Sequence, residues 1–178
     1  MRPPLTNSNK LHYSLSMDEM KQLNPDAEII TYPELNKITN IKTLFKNCDK
    51  LIILYLLEDE YTGHWVCLFK NYEGFNFFDS YGFPMSYEVD VLPPELRREL
   101  NQQKQRLNLL LKPYRVIYNN IQLQKKNTET CGMFVTHRLH YDNLNTIKYI
   151  NGFKNKNKIS PDEIVATYCL KLLKKKKI

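Results

Sequence analysis

The chain has 178 residues, 42% of them hydrophobic, with 26 Lys and Arg against 19 Asp and Glu and a net charge of +7. That length suits a single domain, read as residues 1–178, that can bury a core without covalent staples. No apolar run approaches the roughly 20 residues of a bilayer span, and "MRPPLTNSNK" lacks the apolar middle of a signal peptide, so a soluble chain with no membrane partner is expected.

Residues 1–12 read as a loose N-terminal arm. Ser16 with Glu19 forms a capping-box pattern that opens a short helix ending by Asn24-Pro25. A second helical piece is expected after Pro33, through Leu35, Ile38, Ile41 and Leu44, and "LIILYLL" at 51–57 reads as a buried strand. "HWVCLF" and "FNFFD", separated by "KNYEG", carry a hairpin signature. One long amphipathic helix follows, from Pro93 and Pro94 through Leu96, Leu100, Leu107 and Leu110 to Pro113. "YRVIY" at 114–118 is a strand, Cys131 opens a helix with Phe134, Val135 and Leu139 on one side, and Ser160, Pro161 and Glu163 start the last helix. Residues 174–178 read as a basic tail, and the order of elements gives an α+β fold.

Cys48, Cys67, Cys131 and Cys169 include no CxxC pair, which argues against a zinc knuckle or a disulfide framework. His137 and His140 stand one helical turn apart, but no third ligand completes a metal set at helical spacing. The positive balance, concentrated at Lys171 and at Lys174 to Lys177, fits an anionic partner such as nucleic acid; a terminal lysine run serves equally as a solubilising tail.

Two places carry chemistry. With a four-residue loop over Lys70 to Glu73, the hairpin pairs Val66 with Phe77 and, on the same face, His64 with Asp79, about 4.5 to 5.5 Å apart at Cβ. A carboxylate there can fix the imidazole tautomer and leave the other ring nitrogen for proton transfer; a surface cross-strand pair contributes little. Cys131 at a helix start lies where unpaired N–H groups and the macrodipole favour a thiolate, with Gly132 leaving room for a substrate backbone. The same cysteine shares a helical stripe with Val135 and Leu139, where it would serve as a small core residue.

In the order His64, Asp79, Cys131, the segments "GHWVCLF", "FFDSYGF" and "QKKNTETCGMFV" resemble the cysteine proteases of the adenovirus-protease and SUMO-protease clan. The resemblance implies a papain-like fold of the adenain type, a central helix packed on a mainly antiparallel sheet. It implies Cys131 as nucleophile, His64 as general base, Asp79 as its orienting partner and an upstream glutamine as oxyanion donor. Gln122 and Gln124 compete for that place, and the family's usual spacing favours Gln124. Trp65, with Gly63 and Gly132, would line a narrow substrate channel. Thr130 stands where relatives often carry an acid, with Glu129 displaced by one position.

Within that clan the chain resembles maturation proteases of double-stranded DNA viruses, virophages and Polinton-type elements. The resemblance implies a monomeric endopeptidase that cuts capsid precursors at glycine-containing sites, in the virion or the infected cell. No metal or organic cofactor is implied, although some relatives are activated by DNA or a peptide. A ubiquitin-like-protein deconjugase, with the same chemistry, and a non-catalytic basic module binding capsid or DNA are the alternatives.

Overall fold

The computed structural model describes residues 3–154 and 158–175. Five strands, β1 (Glu28–Thr31), β2 (Lys50–Leu56), β3 (Gly63–Asn71), β4 (Gly74–Phe78) and β5 (Val116–Tyr118), lie side by side in chain order. The α-helices are α1 (Met17–Leu23), α2 (Tyr87–Asp90), α3 (Pro94–Glu99), α4 (Arg106–Leu111), α5 (Cys131–His140), α6 (Thr146–Lys154) and α7 (Pro161–Lys175).

The sheet is covered on both faces, which is why β2 reads as an unbroken apolar run rather than an alternating one. Ile52, Leu54, Trp65, Cys67, Phe69 and Phe78 face a core shared with α1, α5, α6 and α7. Leu51, Ile53, Val66, Leu68 and Phe77 face a second core closed by the 32–45 segment, α2 and α4. Helix α5 is the central helix: eight of its ten residues, from Cys131 to Leu139, are buried. An α+β fold with such a helix on a sheet is as expected. The sheet itself is mixed, with antiparallel β2–β3 and β3–β4 pairs flanked by parallel β1–β2 and β4–β5 pairs.

The hairpin register differs from the expected one by two residues. Asn71 pairs with Gly74 and Leu68 with Phe77, so the loop is only Tyr72 and Glu73. Asn71 Oδ1 accepts from the Glu73 amide at 2.9 Å and from Asn76 Nδ2 at 2.9 Å, and Gly74 takes φ +113°. Because the shift is even, every side chain keeps its face. Pairing stops at Cys67 with Phe78, so Asp79 lies beyond the ladder and not opposite His64 within it.

The long helix over 93–112 is two helices. Asn101 and Gln105 take left-handed φ values of 52° and 55° between them. Gln102 explains the break: its buried amide donates to Leu56 O at 2.7 Å and accepts from Leu56 N at 3.0 Å, pairing with the end of β2 as a strand would. The helical piece after Pro33 is two 3₁₀ segments, Tyr32–Lys37 and Ile41–Phe45. Glu34 bonds the Thr31 amide and hydroxyl, and Asn40 bonds the Lys42 amide, local bonds that favour tight turns. Strand β1 and helix α6 are additions.

The N-terminal arm is not loose. Leu5 is buried, Lys10–His12 forms a 3₁₀ turn, and Leu11 O accepts from the Glu129 amide at 2.8 Å, tying the arm to the loop before α5. At the other end Lys174 and Lys175 form the last turn of α7, so the basic stretch starts within a helix. Lys176 and Lys177 lie outside the described residues. Among those described, no helix is long and apolar enough to cross a membrane.

Candidate active site

His64 follows the first residue of β3, and Asp79 follows the last residue of β4. Both are buried. A carboxylate can only accept, so His64 Nε2 donates to Asp79 Oδ2, at 3.0 Å, and Nδ1 is left for a second partner. Asp79 is held by side chain and backbone alike: Oδ1 accepts from the Tyr81 amide at 2.6 Å, while the Asn119 side chain accepts from the Asp79 amide at 3.0 Å and donates to its carbonyl at 2.6 Å. Tyr81 stacks on the imidazole, ring centroids 5.3 Å apart; burial pushes its hydroxyl pKa up to about 12, so it remains neutral.

The second group that bears on His64 is Cys131, close enough to influence the protonation of the imidazole. Burial works against the imidazolium. The charge and hydrogen bond of Asp79, joined by those of Cys131, outweigh burial and hold His64 well above the ordinary imidazole range. Cys131, 7% exposed, is both the first residue of α5 and part of the core, so the two sequence readings describe one residue.

Asp162, fully buried in the first turn of α7, shapes the approach to that helix start. Its Oδ1 accepts from the Thr130 hydroxyl at 2.6 Å and the Thr128 hydroxyl at 2.7 Å, and its Oδ2 from the Lys125 amide at 3.2 Å. Thr130 is the residue before α5, yet its hydroxyl is diverted to Asp162 and makes no cap bond to the first-turn amides. Gln124 is anchored in the same loop. Its Oε1 accepts from Ser80 at 2.6 Å and its Nε2 donates to Thr128 O at 2.9 Å, which fixes the amide orientation. Gln122 is exposed and bonds only the Gln124 carbonyl, so the two glutamines do not share a face. Glu129 is exposed.

Asp162, Asn119, Ser80 and Tyr81 were not singled out from sequence. Asp162 had one signal, an acid in a first turn where Glu163 already serves Ser160 as the capping partner. Gly132 has a packing role: a Cβ there would stand 3.0 Å from the Met20 sulfur and 3.1 Å from Trp65 Cδ1, so the space is filled by this chain and not left for a substrate. Gly63 passes so close to β2 that a Cβ would meet Tyr55 O at 1.8 Å. Trp65 is buried, donates Nε1 to Leu15 O at 3.1 Å, and with Gly63 lines a cleft next to His64.

Two of the remaining thiols are buried and poorly suited to attack. Burial pushes Cys67 up to about 12 and Cys169 higher still. His137 and His140 bond Tyr149 and Tyr168 hydroxyls at 3.0 and 2.8 Å. Glu88 of α2 brings a carboxylate within 4.8 Å of the His64 and Asp79 ligand atoms, a set that chemically could hold a cation. The His64–Asp79 hydrogen bond already uses two of the atoms an ion would need.

The chain is 32% identical over 158 residues to the uncharacterized protein V9 of Sputnik virophage, covering 84% of this chain and 90% of that protein. It belongs to the V9 family. No general protein-family model matches it. Among solved structures, this V9-family chain is similar to ChlaDub1 from Chlamydia trachomatis, with 14% identity, a TM-score of 0.44 and 98% and 96% of the two chains covered. It is likewise similar to the central domain of the Lpg1148 protein of Legionella pneumophila, with 15% identity, a TM-score of 0.45 and 90% and 98% covered. Both likenesses are too distant to bring a substrate or an activity with them.

Proposed function

We propose that the protein is a cysteine endopeptidase with Cys131 as nucleophile, His64 as proton carrier, Asp79 as the orienting carboxylate and Gln124 as oxyanion donor. The observation that supports this reading is the buried His64–Asp79 hydrogen bond at 3.0 Å, on an imidazole whose protonation Cys131, the first residue of α5, also influences.

The chemistry balances without a cofactor. In the resting pair the Cys131 proton lies on His64 Nδ1, and the sulfur, as thiolate, attacks a peptide carbonyl carbon. The carbonyl electrons move to oxygen, held by the second Nε2–H of Gln124 and the Cys131 amide. As the C–N bond breaks, the imidazolium gives its proton to the departing amine. Water, deprotonated by the now neutral imidazole, then resolves the thioester, and the sulfur leaves as thiolate beside the reprotonated ring.

The substrate we propose is a capsid or virion precursor cut at small-residue sites during particle maturation. A relative in a virophage and the resemblance to maturation proteases support that setting. A DNA or peptide activator, and action as a monomer within the particle or the infected cell, belong to the same proposal.

The test is an electrophilic peptide probe ending in glycine, with the adduct located by mass spectrometry. Modification of Cys131, lost in Cys131→Ala and His64→Ala and slowed in Gln124→Ala, is expected. Labelling at Cys67 or Cys169 instead, or none, would refute the assignment. Cleavage of a capsid precursor but not of a diglycine-tailed modifier separates maturation from deconjugation.

A further inference from the structure

Beside His64 lies a cleft of about 480 Å³, and its walls are chemically unlike the rest of the protein. Leu15, Leu54 and Trp65 are buried and form its floor, whereas Asp18, Glu60 and Tyr61 are exposed and form its rim. The cleft neighbours the candidate site without including its residues. Gly63 lines it and directly precedes His64, while Trp65 and Leu15, which also line it, pack against Gly132, next to Cys131. One layer of side chains therefore lies between the cleft and the start of α5.

Among the described residues that line the cleft, the charged groups are two carboxylates, Asp18 and Glu60. This is in a chain of net charge +7. Neither carboxylate forms an ion pair with a lysine or arginine of the described chain. The adjoining Asp59 is accounted for locally, since its carboxylate accepts the Tyr61 and Thr62 amides at 2.8 and 2.7 Å and builds the loop. Glu60 has no such backbone bond among those of the described residues, and its charge bears on the neighbouring Tyr61 hydroxyl. An apolar, aromatic floor under a rim of carboxylates without a cationic partner suits one kind of side chain. A lysine or arginine lays its methylene stem on Trp65 and Leu54 and leaves its charged end at the rim.

We infer that this cleft is a specificity site that selects substrates carrying a lysine or arginine close to the scissile bond, with Asp18 and Glu60 as the selecting residues. The inference rests on the peptidase reading, and adds to it a requirement that the catalytic residues do not impose. Rim carboxylates act mainly on encounter and on choice among partners, so the preference is strongest at low salt.

The experiment uses the full chain and glycine-containing fluorogenic peptides bearing one Lys, Ala or Glu at each position around the scissile bond in turn. At one position, Lys is expected to exceed Glu about tenfold in kcat/KM, and an Asp18→Lys, Glu60→Lys variant is expected to reverse that order. The same peptides are also titrated onto Cys131→Ala by fluorescence anisotropy, where the preference and its reversal must appear without turnover. Cleavage of the Ala peptides with equal rates for Lys and Glu at every position overturns the specificity site and leaves the peptidase standing. Charge-dependent binding with no cleavage by the wild type does the opposite. A preference that survives the double charge reversal, or that its neutral Asp18→Asn, Glu60→Gln counterpart does not weaken, also overturns it.

Discussion

At the scale of single residues, His64 is a group whose protonation the fold strongly alters. Burial alone would favour the neutral ring, and Asp79, with Cys131, reverses that preference. The folded value lies above the unfolded one, so the imidazolium stabilises the protein fully below the unfolded pKa of about 6.5 and loses that contribution as pH rises through the folded value. The stability gap between wild type and His64→Ala in urea is accordingly expected to be widest in mildly acidic buffer and to narrow with rising pH. A gap that widens instead would mean that the ring is buried neutral. Asp79→Asn should lower the imidazole pKa, read by NMR titration, while Gln124→Ala should leave that pKa in place and reduce kcat by about 10²-fold. The His64–Asp79 contact was legible because the two residues stand at the ends of a recognisable hairpin. Its supports were not, because Asn119 bonds the Asp79 backbone and the Ser80 hydroxyl donates to Gln124, both across some forty residues of sequence that no local pattern bridges.

At the scale of elements, placement of the site depends on how chain segments end. β4 stops one residue before Asp79, β3 starts one residue before His64, and α5 starts at Cys131, so each of the three lies at or beside the end of an element. Asp162 of α7 sets the start of α5 by holding Thr128 and Thr130. Charge-assisted bonds of this kind contribute about 1.5 to 3 kcal/mol each, and Asp162→Ala leaves two hydroxyls and an amide without it. A loss of about 3 kcal/mol in urea unfolding is expected, together with a fall in kcat, since Gln124 donates to the carbonyl of Thr128. Gly63→Ala acts from the other side. Its methyl group must push β3 from the Tyr55 carbonyl, for a cost of about 1 to 3 kcal/mol and a displaced His64. Strand identity was readable here, since β2 is a short continuous apolar run and β3 and β4 are rich in aromatic residues. The register was not, because it is decided by the Asn71 side chain closing a two-residue loop. The break between α3 and α4 escaped for a similar reason: Gln102 bonds β2, 46 residues away, while the leucine periodicity runs through it unchanged.

At the scale of the whole molecule, charge is unevenly distributed. The cleft beside His64 carries carboxylates, whereas Lys171, Lys174 and Lys175 are exposed at the far end of α7, the helix whose first turn holds Asp162. Net charge alone cannot separate a nucleic-acid contact from a solubilising surface, but the ionic-strength dependence can, because each phosphate neutralised releases condensed counterions. If this helix end meets DNA, replacing the three lysines by alanine should lower the slope of log affinity against log salt by roughly 0.9 for each phosphate no longer neutralised. The same variant should cleave short peptides as before, because the three side chains lie on neither the cleft nor the Cys131–His64 junction. Stimulation of the wild type by DNA that disappears both in this variant and at high salt would make α7 the activator's landing place. An unchanged slope would put any DNA contact elsewhere on the basic surface and return these lysines to the role of keeping the protein in solution.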